Sequence, residues 1–119
     1  MATVELPNFE EMQELINKIH TLSLKKAVLS LKISEREAEV VREVTSNPTY
    51  WKDGKQPSMS FIESTYKVTG IGNDIIELRK ELSVVQADLD YAKLLLELKN
   101  KIIDVWRTQV ASERVNLSI

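Results

Sequence analysis

The chain has 119 residues, the size of a single domain, with 16 Lys and Arg against 18 Asp and Glu for a net charge of −2. That balance excludes a globally basic nucleic-acid-binding surface and leaves only a local basic patch open to such a partner. The absence of cysteine excludes disulfides and thiolate metal sites. Residues Met1 to Asn8 lack a charged segment followed by an apolar one, so no signal peptide is expected. No apolar run approaches the roughly 18 residues of a membrane span. The expected location is therefore the cytoplasm.

Glycine and proline number three each and stand at Pro7, Pro48, Gly54, Pro57, Gly70 and Gly72. They leave two long uninterrupted stretches, and that spacing predicts an all-α chain. The first helix is expected over residues 9–45. Asn8 is placed to cap it, with Glu11 three residues on completing a capping box. Glu10, Glu11 and Glu14 put negative charge at the positive end of the helix dipole. Apolar residues form two rows. One holds Phe9, Met12, Ile16 and Ile19 and continues through Leu24, Ala27, Leu31, Ala38 and Val41. The other holds Leu22, Leu29, Ile33, Val40 and Val44. Pro48 ends the helix, because it cannot continue the hydrogen-bond ladder and disfavours helix in the residue before it.

Residues 47–72 are the connection. Asp53-Gly54 signals a tight turn and a small hairpin. Ser60 with Glu63 suggests a capping box for a short helix over Phe61 to Thr69, although Ile62, Thr65, Tyr66 and Val68 favour strand.

The long helix is expected over residues 73–113 with Asn73 as its cap. Its main row runs Ile75, Leu78, Leu82, Val85, Leu89, Ala92, Leu96, Lys99, Ile103, Trp106 and Val110, a heptad repeat broken once, by Lys99. A second row holds Tyr91, Leu95, Leu98, Ile102 and Val105. Together the rows span an arc of roughly 160°, more than one partner helix covers. The fold expected is one domain over residues 1–119: a long helical hairpin with a short structured connection, self-associating through a coiled-coil-like C-terminal helix. Leu82, Leu89, Leu96, Ile103 and Trp106 are the expected oligomer interface, and Lys99 is read as fixing register.

Catalytic chemistry finds no support in these residues. His20 is the only histidine. It has no second histidine or cysteine to join it, and the di-iron and zinc-protease patterns are absent. Glu35, Glu39 and Glu43 form a column on a solvated face, supported by pairing such as Glu39 with Arg42. Gly70-Ile71-Gly72 lacks the lysine of a phosphate loop and is followed by Asp74, which repels anions. No catalytic residue, metal, cofactor or small-molecule substrate is expected.

The connection is where binding chemistry concentrates. Tyr50, Trp51, Lys52 and Lys55 lie together, with Tyr66 and Lys67 close by. Aromatic rings offer stacking platforms and lysines pair with phosphates, a mixture suited to single-stranded nucleic acid. The alternative is that Tyr50 and Trp51 plug the open end of the helical pair. Lys25, Lys26 and Lys32 would extend the basic patch if folding brought them to it.

The layout resembles the UvsY-type recombination mediators of large tailed phages. The shared plan is a helix, then Tyr50-Trp51-Lys52-Asp53-Gly54-Lys55, then Tyr66-Lys67, then a long helix from Asn73 to Arg107. The resemblance implies a ring-like homo-oligomer that binds single-stranded DNA and helps load a recombinase in place of a single-strand-binding protein. It implies phosphate contacts at Lys52, Lys55 and Lys67 and stacking at Tyr50 and Trp51. The reading that needs no nucleic acid is a helical protein-interaction module, such as a structural subunit, adaptor or inhibitor.

Overall fold

The computed structural model describes residues 5–118 and the side-chain surroundings of residues 5–115. Its first long element, α1 (Phe9–Ser46), starts where expected: the Asn8 side-chain oxygen accepts the Glu10 amide at 2.8 Å. Glu11 does not turn back to complete a capping box. It reaches instead to Lys99, at 3.2 Å. At the other end, the Ser46 hydroxyl donates to the Arg42 carbonyl at 2.6 Å, and the helix stops before Asn47 and Pro48.

The Asn47 side chain accepts the Thr49 amide at 3.1 Å and opens a single 3-10 turn, Pro48–Tyr50. A tight reversal at Asp53 and Gly54 follows. Three short helical pieces come next: α2 (Met59–Phe61), a π turn (Ile62–Tyr66) and α3 (Lys67–Thr69). The cap is Ser58, whose hydroxyl accepts the Phe61 amide at 3.2 Å, so the start lies earlier than the Ser60–Glu63 pair suggested. Strand-forming residues are helical here because Ile62 is almost fully buried in the core, and burial overrides a propensity worth about 1 kcal/mol at most.

Gly70 then turns the chain at φ +76°, a conformation that side chains resist, and a Cβ there would collide with the Asp74 carboxylate. Asp74 ties this corner together. One of its oxygens accepts the Ile71 amide at 3.0 Å and the other accepts Arg36 Nε at 2.6 Å. Asn73 sits in the left-handed region, at φ 60°, and its carbonyl accepts the Glu77 amide at 3.1 Å, while the Asp74 side chain bonds back to the Ile71 amide ahead of the helix and does not cap its first turn. The second long element, α4, is Asp74–Ser118.

The fold is all-α: two long helices joined by a short structured connection. Among the described residues the one β feature is a single bridge, and no helix is long and apolar enough to cross a membrane. The chain divides into two compact units. In the unit Leu24–Gln86, Ile33, Val40 and Val44 of α1 meet Ile62 and Ile75 in a closed cluster. Tyr50, Tyr66, Ile71, Leu78 and Leu82 pack against it. The buried α1 residues Leu29, Ile33, Val40 and Val44 lie on one helix stripe, whereas Leu24, Leu31, Ala27 and Ala38 of the other row face solvent. The second unit joins the start of α1, as far as Ser23, to α4 from Ala87 onward. There Leu89 and Ala92 are buried, and Lys99, the polar break in the heptad row, finds Glu11.

Candidate nucleic-acid interface

Asp53 and Gly54 both take positive φ, 53° and 73°, which makes the two-residue reversal of a tight hairpin. It closes with reciprocal hydrogen bonds: the Lys52 amide to the Lys55 carbonyl at 3.2 Å, and the Lys55 amide to the Lys52 carbonyl at 2.9 Å. Residues paired this way stand directly opposite each other with their side chains on one face, their Cα atoms about 5.5 Å apart. Two ammonium groups held opposite each other repel. Neither lysine has an ion-pair partner among the described residues. An anion between the two would offset that repulsion.

The hairpin is fastened to the last turn of α1. Gln56 Nε2 donates to the Thr45 carbonyl at 2.8 Å, and the Trp51 ring nitrogen donates to the Val44 carbonyl at 3.3 Å. Behind the lysines stands a cluster of three rings. Tyr66 meets Tyr50 edge-to-face at 5.9 Å and meets Phe61 the same way at 5.9 Å. The π turn carries Tyr66 to this place. Tyr50, Phe61 and Tyr66, with Lys52, Lys55, Gln56, Pro57 and Ser58, line a pocket of about 420 Å³ that has no carboxylate in its wall. The Tyr50 hydroxyl points toward Glu43 at 3.5 Å. Its phenol is held above the ordinary value of 10.0, first because withdrawal from water disfavours the phenolate and then because Glu43 adds negative charge beside it.

The structure thus brings together three of the five residues expected to bind nucleic acid: Tyr50, Lys52 and Lys55. The other two lie outside that pocket. Trp51 is half-buried and its ring N–H donates to the Val44 carbonyl of α1, which ties it to the helix end. Lys67 is half-buried on α3 and does not line the pocket. Phe61 and Tyr66 complete the ring cluster. Tyr66 was visible in the sequence as a neighbouring aromatic, whereas nothing local marked Phe61. The Lys25–Lys26–Lys32 cluster stays apart, since Lys32 is about 22 Å along α1 from Asn47 at 1.5 Å per residue. Among the described residues no group of acidic or histidine side chains could hold a metal. Glu39 pairs with Arg36, at 3.2 Å, and not with Arg42.

The residues expected at the oligomer interface fall in different surroundings. Leu89 is buried inside the chain, Leu82 packs on the core, Leu96 and Ile103 are half-buried, and Trp106 remains exposed. The main heptad row is largely occupied by the chain's own packing. The large apolar residues left open on α4 in this unit include Tyr91, Leu94, Leu98 and Val105.

No protein-family model, curated protein or solved structure matches the chain.

Proposed function

We propose that this chain is a non-enzymatic, self-associating accessory protein that binds single-stranded DNA at the connection between its long helices. One observation carries the reading: two unpaired lysines face each other across a tight turn at the mouth of an aromatic pocket without a carboxylate. A phosphate between Lys52 and Lys55 removes their repulsion, and a base enters against Tyr50, Tyr66 and Phe61. Stacking of this kind contributes about 1–3 kcal/mol per base and tolerates any sequence. The resemblance to phage recombination mediators supports the same partner and adds a recombinase as the protein that benefits.

Fluorescence anisotropy with a labelled oligonucleotide at low salt tests the proposal. Binding is expected, with a steep salt dependence. Lys52→Ala combined with Lys55→Ala lowers affinity and flattens the salt slope by about 0.7, the share of the one phosphate the two lysines hold between them on a single strand. Trp51→Phe leaves the slope unchanged. No binding, or binding indifferent to the double substitution, contradicts the reading.

The second reading, a protein-interaction module, draws on a different observation. Tyr91, Leu94, Leu98 and Val105 are each between 50% and 63% exposed. With Lys101 between the last two, they follow the alternating 3-4 spacing of a coiled-coil seam. Such a seam suits other copies of α4, which is why self-association belongs to the proposal in either reading.

A further inference from the structure

Within the unit Leu24–Gln86, α1 and α4 leave between them an open groove of about 810 Å³. Its wall carries five carboxylates against three cations. Two of the three cations, Arg36 and Lys80, are spent, and Lys32 is not. Arg36 is held by Asp74 at 2.6 Å and Glu39 at 3.2 Å, and Lys80 lies 3.3 Å from Glu77. Among the described residues Glu35 and Glu81 have no ion-pair partner, and neither does Lys32. The groove is also apolar in part. Leu78 lies half-buried in its wall, and Val84, one turn beyond Glu81, is 61% exposed. On α1, Val28 is 53% exposed one turn before Lys32, on the stripe that continues to Glu35. α4 therefore presents an uncovered valine three residues from an unpaired carboxylate, and α1 presents one two turns, seven residues, before another.

We propose that this groove docks a basic amphipathic helix of another protein, its apolar stripe against Leu78, Val84 and Val28 and its lysines or arginines reaching Glu35 and Glu81. Charge complementarity selects the occupant. Phosphates are repelled by this wall, so a nucleic acid is excluded and the Lys52–Lys55 site stays free for it. A second α4 carries Lys93 and Lys101 beside Asp90, Glu97 and Asp104 on its open stretch, so charge gives it little preference for this wall, and a change of assembly mass in light scattering identifies it. The inference does not depend on DNA binding at the connection.

The test uses the full chain and a synthetic helical peptide of leucine and lysine with one apolar stripe, together with its leucine–glutamate counterpart. Titration calorimetry at low salt is expected to give one-to-one binding of the leucine–lysine peptide alone. Glu35→Lys with Glu81→Lys weakens it by about tenfold or more, since attraction becomes repulsion at both positions. Val84→Ser also weakens it. Glu14→Lys with Glu113→Lys, outside the groove, leaves it within about twofold. Glu81→Gln, which neutralises without reversing charge, gives the same direction should the double reversal disturb folding. Equal binding of the two peptides, equal loss in the outside pair, or no change in the groove variants overturns the proposal. So does a change of assembly mass in light scattering on Glu35→Lys with Glu81→Lys, which would make a second copy the occupant.

Discussion

Tyr50 holds the connection in two ways: its ring meets Tyr66 at 5.9 Å and its hydroxyl donates toward Glu43 at 3.5 Å. Its pKa in the folded chain lies above the ordinary 10.0. A group raised on folding contributes stability that is complete below its unfolded pKa and is lost as pH rises through the folded one. Spectrophotometric titration should therefore show one tyrosine ionising later than the unfolded chain's tyrosines, and Tyr50→Phe should remove that late phase. Thermal stability should fall above pH 10 more steeply in the parent than in Tyr50→Phe. A titration unchanged by the substitution would contradict the placement of Tyr50. At this scale legibility depended on range. Lys52 and Lys55 were readable because Asp53-Gly54 determines the hairpin locally. The bond Trp51 makes was not readable, because its partner, the Val44 carbonyl, lies on another element seven residues away.

Gly70 shows how an element boundary can rest on one residue. Its φ of +76° and the nearness of the Asp74 carboxylate leave no room for a side chain. Gly70→Ala should cost about 1–3 kcal/mol through backbone strain and displacement of the Asp74–Arg36 contact, read as a lowered melting temperature. A melt within a degree or so of the parent would show that the corner relaxes without cost. The ends of α1 were legible because capping and proline chemistry are local. Asn8 accepts the Glu10 amide, and Pro48 forbids continuation. The π turn was not, since what places Ile62–Tyr66 is the burial of Ile62 against α1 and α4, which no local pattern records. The two apolar rows of α1 were equally visible in sequence, yet the hairpin buries the stripe of Leu29, Ile33, Val40 and Val44 and leaves Leu24 and Leu31 open. Period identifies an apolar face. Which of two faces is covered depends on the partner helix.

For the whole molecule, the open seam at Tyr91, Leu94, Leu98 and Val105 predicts an assembly larger than one chain. Light scattering should report a multiple of 13.6 kDa, reduced toward a single chain by Leu94→Lys with Leu98→Lys. A parent that runs as a monomer would contradict self-association. Opposite chemistries then occupy different places in the unit Leu24–Gln86, with paired lysines at the connection and carboxylates in the groove between the long helices. Avidity from several copies would let weak single contacts hold a strand. The central claim is that the strand is held at the connection. Its most direct test is anisotropy of a labelled single-stranded oligonucleotide against the parent and the Lys52→Ala, Lys55→Ala variant across a salt series. Salt-sensitive binding by the parent, with a clearly flatter slope and weaker affinity in the variant, is the predicted result. Absence of binding by the parent at low salt, or superimposable curves for the two proteins, would contradict it.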